Sequence, residues 1–282
     1  MKNHSCIHQE IATGRRFEFG KNWARFLTTV DDMRIQQAML SLQRLLHGKD
    51  LAGKKFLDVG CGSGLMSLAA RKLGLQVVSF DYDPVSATCT NALKETYFAD
   101  DPTWTVHEGS VLDKSFLSDL RTFDFVYAWG VLHHTGDMWT ALDNVTALVV
   151  DKGLVVIALY NDQGVWSKVW RVVKATYNKL PRYLKTFFVI LIILPRELKM
   201  MAVPLLKGKF GYISEQWSGY MRSSERGMSR WHDMVDWVGG YPFEVAKPEQ
   251  VFYAFKQCGF ILTELKTCAG ELGCNEYVFE KR

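Results

Sequence analysis

The stretch that most restricts the fold of this chain is Leu57-Asp58-Val59-Gly60-Cys61-Gly62-Ser63-Gly64-Leu65. Lys54 to Val59 reads as a short buried strand, Gly60 to Gly64 as a tight turn, and Leu65 to Leu73 as a helix closed by Gly74. Glycines at such a turn let the backbone bend sharply and let a ligand approach where a Cβ would collide. A dinucleotide fingerprint would want its third glycine where the chain has Leu65, so a pyrophosphate ligand fits poorly. Asp58, ahead of the turn, suits a cationic or amine-bearing ligand better than a diphosphate.

The same unit recurs along the chain. Gln76 to Asp81 reads as a second strand, and Pro84 opens a helix through Thr96. Trp104 to Glu108, Phe123 to Ala128 and Leu154 to Tyr160 read as further strands, with a helix from Trp139 to Val149. A helix from Val30 to Leu46 precedes them. The pattern stops at Asn161 and returns near Pro248, with a helix from Glu249 to Cys258 and two strands, Phe260 to Thr267 and Asn275 to Glu280, forming a hairpin. The expected fold is a doubly wound α/β domain: a mostly parallel seven-stranded sheet with a C-terminal antiparallel hairpin and an inserted, mainly helical cap. The expected division is an N-terminal arm and helix at 1–50, the α/β core at 51–161, the cap at 162–247, and a closing helix and hairpin at 248–282. An interruption of this length marks a lid or substrate-binding element.

Asp81 ends the second strand about 20 residues beyond the turn, where a carboxylate accepts hydrogen bonds from both hydroxyls of a ribose. The plainer reading is a helix-capping carboxylate. Turn and acid together resemble those of the class I S-adenosylmethionine-dependent methyltransferases. Leu57 to Gly64 matches the family's first motif, Gly109 to Asp113 its adenine loop, Phe123 to His134 its fourth strand and following loop, and Asp151 to Ile157 its turn into strand five. The resemblance implies S-adenosyl-L-methionine as cofactor. It implies Asp58, Gly60 and Gly62 around the methionine moiety, Asp81 on the ribose, Ser110 and Val111 at the adenine, Tyr82 covering that ring, and Trp129 on the cofactor's inner face. Ser110 departs from the aspartate that many relatives carry. Relatives fold an N-terminal arm over the cofactor, which offers Lys21 as a partner for the methionine carboxylate and Trp23 as a cover; a solvent-facing lysine beside a core tryptophan is the plainer alternative. The resemblance spans Lys54 to Tyr160 and the terminal hairpin, and it is silent on the acceptor.

Methyl transfer to a hydroxyl or an amine is helped by a base that titrates near neutrality, which points to histidine. His133 and His134 follow the fourth strand, at the sheet edge where open α/β proteins bind ligands. The resemblance places the position of His133 at the active site and gives that of His134 a structural role. His232, beside Asp233, is a second candidate base, with a helix-surface pair as its plainer reading. Asn161 ends the fifth strand, placed to orient an acceptor. Asn161-Asp162 resembles half of a metal-dependent catechol site, but Ala128-Trp129-Gly130 supplies no second carboxylate, so no metal is expected.

The net charge of +4 is too mild to choose a partner, so local charge decides. Val165 to Phe210 holds ten Lys and Arg against the single acid Glu197, interleaved with Trp166, Trp170, Tyr177, Tyr183, Phe187 and Phe188. That pattern is compatible with an anionic acceptor, a peripheral membrane contact, or a solvated basic face over an ordinary apolar stripe. Arg226, Arg230 and Trp237, with His232, Asp233 and Asp236, form a mix suited to a pocket wall that selects an acid, phosphate or sugar hydroxyl. The clamp Asp/Asn-Pro-Pro-Tyr of amino-methylating enzymes is absent after strand four, so a nucleic-acid partner is not expected. The expected function is methyl transfer to a small-molecule oxygen nucleophile on a glycan, lipid-linked or secondary-metabolite acceptor. A peptide or RNA acceptor and a noncatalytic binding module remain as alternatives. Six cysteines without CxxC spacing, and an N-terminus without an export pattern, give a cytoplasmic expectation.

Overall fold

The apolar runs assemble into one mixed sheet. The computed structural model describes residues 2–46, 48–206, 230–270 and 273–282, with the backbone alone at 2–6, 199–201, 203–206, 230 and 232. The strands are β1 (Lys55–Val59), β2 (Gln76–Asp81), β3 (Trp104–Glu108), β4 (Phe123–Trp129), β5 (Val149–Tyr160), β6 (Phe260–Lys266) and β7 (Cys274–Lys281). They lie in the order β3-β2-β1-β4-β5-β7-β6. The first five are mutually parallel, and β7 runs antiparallel to both β5 and β6. The order reverses between β1 and β4, which opens a crevice at the carboxyl ends of those strands.

The described helices are α1 (Lys2–Ala12), α2 (Phe19–Leu27), α3 (Asp32–Leu45), α4 (Leu65–Lys72), α5 (Pro84–Phe98), α6 (Lys114–Leu120), α7 (Met138–Ala147), α8 (Val165–Lys179), α9 (Arg182–Leu206), α10 (Arg230–Gly239) and α11 (Pro248–Gln257). Alternate strand residues feed opposite layers, as a doubly covered sheet requires. Leu57, Val59, Val155 and Ile157 pack with Leu142 and Val145 of α7 and Phe255 of α11. Phe56, Leu154 and Val156 pack on the other face with Leu42 of α3 and Leu68 of α4. A third cluster joins Tyr177 of α8, Val189 and Ile193 of α9 and Val238 of α10 to Phe17, just ahead of α2.

Three expectations need correction. Two further helices, α1 and α2, precede the one expected from Val30, and α6 forms between β3 and β4, capped by Asp113 on the N–H groups of Ser115 and Phe116. The helix expected to reach Val149 ends at Ala147, and β5 already starts at Val149. Asp151-Lys152-Gly153 is therefore no turn into the strand. Phe123 pairs with Val149 and Phe125 with Leu154, so the extra residues are absorbed in an irregularity where Lys152 takes φ 61°. The apolar run from Phe187 to Leu194 lies in α9, and among the described residues no helix is long and apolar enough to cross a membrane.

A fully buried polar chain runs beneath the glycine turn. The indole Nε1–H of Trp104 donates to Ser79 Oγ at 3.0 Å, the Ser79 and Ser67 hydroxyls are 2.8 Å apart, and Ser67 donates to Asp58 Oδ2. Ser67 has one proton, and it goes to the carboxylate; Ser79 must therefore be the donor between the two serines. Every link points toward Asp58. Ser79→Ala should lower stability by about 1–3 kcal/mol, because it orphans the indole N–H and removes the donor to Ser67. A urea-unfolding midpoint equal to that of the parent chain would contradict this.

Candidate functional site

A cavity of about 260 Å³ sits over the crevice. Its floor comes from the ends of four neighbouring strands: Asp58 to Ser63 after β1, Asp81 to Asp83 after β2, Gly109 to Leu112 after β3, and Trp129 to Val131 after β4. The arm supplies Ile7, Glu10, Arg16, Phe19 and Trp23, and His134 and Asp236 complete the wall. The turn is glycine for steric reasons. Gly60 and Gly62 take φ 71° and 56°, and a Cβ on them would come within 2.4 Å of Val131 and 2.9 Å of Trp23.

The lining is acidic in a chain that is basic overall. Among the described lining residues are five carboxyl groups (Glu10, Asp58, Asp81, Asp83 and Asp236) and one guanidinium, Arg16. Asp81 accepts from the backbone N–H of Gly62 at 3.0 Å and of Asp83 at 2.8 Å, which pins the loop after β2 against the glycine turn. Burial nevertheless pushes its carboxyl from 3.8 up to about 7, against those two bonds. Burial likewise pushes Asp58 up to about 6, opposed by its bonds to Ser67. Burial raises the Cys61 thiol well above its ordinary value, with the charges of Asp81 and Asp58 adding.

Asp83 clamps the arm. Its Oδ1 accepts from Val85 at the start of α5, and its Oδ2 accepts from Gly20 at the start of α2. Arg16 extends the closure: it pairs with Glu10 at 2.5 Å, donates to the carbonyl of His134 at 3.0 Å, and lies over the Tyr82 ring at 4.8 Å. The Tyr82 hydroxyl in turn donates to Glu10 at 3.4 Å. No periodicity singles out Arg16, because it lies in the irregular link between α1 and α2.

The histidine loop is held by the segment that follows α10. His134 Nδ1 lies 2.6 Å from the carbonyl of Pro242, which only accepts, so Nδ1 carries the proton and Nε2 is the basic nitrogen of the neutral ring. Glu244 donates its N–H to the His133 carbonyl, and its carboxylate accepts from the N–H groups of Gly136 and Met138. His133 is buried and is not among the residues lining the cavity, with the backbone N–H of Tyr160 donating to its Nδ1 at 3.4 Å. Lys174 of α8 is buried over the rings of Tyr160 and Phe243 and donates to the Trp237 carbonyl. Burial lowers its ammonium to about 8, with the Asp236 charge opposing.

The structure brings Trp23, Asp58, Gly60, Gly62, Asp81, Tyr82, Ser110, Val111, Trp129 and His134 to one cavity. Of the two candidate histidines, His134 lines the cavity and His133 does not, the reverse of what the resemblance implied for the pair. Lys21 is also displaced: α2 turns Gly20, Asn22 and Phe26 inward, which leaves Lys21 outside and paired with Glu18. The cation at the cavity is Arg16 instead. Asn161 accepts from Asn275 at 3.0 Å at the sheet edge, and Trp237 packs on Trp170 at 4.5 Å; neither lines the cavity. Arg226 and the side chains of Arg230 and His232 lie outside the described residues. Among the described residues no group of three or more His, Cys, Asp or Glu is placed to hold a metal ion.

The family described as methyltransferase domain matches residues 32–187. The ubiquinone biosynthesis O-methyltransferase of Rhodopseudomonas palustris is 30% identical over 111 residues, which cover 39% of this chain and 42% of that protein. The tRNA U34 carboxymethyltransferase of Colwellia psychrerythraea is 37% identical over 112 residues, 39% of this chain and 33% of that one. The matched segment spans less than half the length of either relative. A solved magnesium protoporphyrin IX methyltransferase from Synechocystis, with bound SAH, shares the fold at TM-score 0.54 and 12% identity, over 93% of this chain and 94% of that one. With more than half of its length matched, on a Rossmann-like sheet closed by an antiparallel hairpin, the chain belongs to the methyltransferase domain family.

Proposed function

We propose that the protein transfers a methyl group from S-adenosylmethionine to an oxygen nucleophile on a small-molecule acceptor. The observation that carries this reading is the acid-lined cavity at the strand ends, with Asp81 bonded across a turn too crowded for a Cβ. A nucleoside bearing a sulfonium and an ammonium fits that charge. Asp81 would hold the ribose hydroxyls, Asp58 with the backbone at Gly60 and Gly62 the methionine moiety, Ser110 and Val111 the adenine, and Trp129, Tyr82 and Trp23 would enclose it. Bound there, S-adenosylmethionine supplies an electrophilic methyl group whose leaving group is a neutral thioether.

The residues of the chain then have two tasks. They position the acceptor against the methyl, the main contribution to a displacement that builds little new charge. They also remove the hydroxyl proton, which goes to Nε2 of His134, with Pro242 holding Nδ1–H so that the basic nitrogen is defined. Mass spectrometry of nucleotide retained by the purified protein, then labelled-methyl transfer into size-fractionated cell extract, tests the proposal. Retention of a different nucleotide, or label appearing in no fraction, would sink it.

The raised carboxyls set a pH dependence. Because Asp81 titrates near 7 when folded and near 3.8 ordinarily, the ligand-free protein loses stability as pH rises from about 4 to about 7. A ligand whose hydroxyls donate to the ionised form reverses that loss and releases a proton on binding. Cofactor affinity measured by calorimetry should therefore tighten roughly tenfold between pH 6 and pH 7.5. Asp81→Asn should weaken binding by about tenfold to a hundredfold and flatten the profile.

His134→Ala should lower kcat by about 10²- to 10⁴-fold while cofactor affinity changes little. The acidic limb of the kcat/KM profile should vanish with it. A variant that keeps that limb would return the base role to another group.

A further inference from the structure

Helix α9 carries an apolar stripe that the described part of the fold leaves open. Tyr183, Phe187, Leu191, Leu194 and Leu198 recur every three or four residues and face outward, with Tyr183 81%, Phe187 64% and Leu198 56% exposed. From Tyr183 to Leu198 the helix rises roughly 22 Å, so these side chains form a continuous strip. The other side of the helix is already anchored, through Val189 and Ile193 in the cluster with Tyr177 and Val238. Among the described residues, the docking of α9 onto its own domain therefore does not account for the stripe. Val165, Trp166, Val169 and Val172 are likewise exposed on α8.

Charge narrows the choice of partner. Thr186 to Pro195 contains no ionisable residue, with Arg182 and Lys185 before it and Arg196 after it. Lys168, Arg171 and Lys179 are exposed on α8, and Glu197 is the single acid between Val165 and Leu206. Two copies of such a basic surface repel each other when brought together. The stripe also offers little hydrogen bonding beyond the Tyr183 hydroxyl, whereas a protein interface uses about one hydrogen bond per 100–200 Å². A lipid interior asks for none. Large aliphatic and aromatic side chains on one face, lysine and arginine beside them, and, among the described residues, no helix both long and apolar enough to cross a bilayer are the features of a helix lying in the plane of a headgroup layer.

We propose that the outward faces of α9 and α8 form a docking surface for an anionic lipid bilayer. The surface holds the protein on the membrane by burying the stripe and by attraction between the basic residues and acidic headgroups. This reading is independent of the reaction in the cavity.

Co-sedimentation of the full chain with phosphatidylcholine vesicles, alone or mixed with phosphatidylglycerol, tests it. Binding is expected to the mixed vesicles, much weaker binding to phosphatidylcholine alone, and release as ionic strength rises. Phe187→Asp combined with Leu191→Asp should cut partitioning at least tenfold with the thermal midpoint unchanged, since both side chains already face solvent. Arg182→Gln and Lys168→Gln should each cut it roughly fivefold. Equal binding to both vesicle types, or undiminished binding by the double variant, overturns the proposal. So does a solution dimer that the double variant abolishes, because a second copy would then cover the face.

Discussion

A carboxylate held against a bare backbone turn governs the rest of this structure. Asp81 joins the end of β2 to Gly62 after β1, and Asp58 lies at the end of β1 under the same turn. A buried and a half-buried carboxyl in neighbouring strands are costly, and an apolar pair of similar size would cost less. The fold carries that cost by letting both groups titrate higher and by supplying hydrogen bonds, two from backbone to Asp81 and the serine–tryptophan chain to Asp58. Asp58 and Asp81 are held by hydrogen bonds from neutral groups, while Arg16, the one guanidinium among the described lining residues, pairs with Glu10; a core chosen for stability alone would avoid that arrangement, and a site for a cationic ligand needs it.

The same economy explains why distant segments meet over the cavity. Asp83 caps α5, an ordinary local task, and its second oxygen takes the N–H of Gly20 and so fixes the arm. The histidine loop is bound on one side by Arg16 from that arm and on the other by Pro242 and Glu244 from beyond α10. Phe17 ties these two supports directly, donating its N–H to the carbonyl of Tyr241 while its ring joins the cluster of the cap helices. Closure of the site is thus coupled to docking of both the arm and the cap, so a change in either reaches the histidine without touching the sheet.

What was legible in the sequence follows from what local rules encode. The glycine turn, the position of Asp81 at the end of β2, the strands of the sheet and the terminal hairpin each depend on neighbours within a few residues, and they stand close to where the pattern put them, apart from the early start of β5. The two helices of the arm escaped because they are short, and α2 draws its stability from packing on α5 and on α10. Lys21 and Arg16 show the limit most clearly. Both are cations in the arm, and only the rotation of α2, set by Gly20, Asn22 and Phe26 turning inward, decides that the first faces solvent. His133 and His134 differ in the same way: adjacent residues of a single 3-10 turn point to different surroundings, and the carbonyl that selects between them comes from a residue more than a hundred positions away. The chain Trp104–Ser79–Ser67–Asp58 joins three strands and a helix, and no single-segment pattern encodes such a link.

Net charge conceals the arrangement that matters most. A sum of +4 suggests a mildly basic molecule, yet the acids gather in the cavity while the lysines and arginines of α8 and α9 largely face out. These two fields act over different ranges. Surface cations in water are screened within about 8 Å at physiological ionic strength, whereas buried carboxyls are screened far less. The basic helices therefore do little to neutralise the cavity, and the acids do little to weaken the outer surface. The one lysine that α8 does bury, Lys174, is spent on the Trp237 carbonyl and on the rings behind the histidines. The basic character of α8 and α9 is thus largely a property of the outer surface, and the cavity is lined by a separate and opposite set of charges.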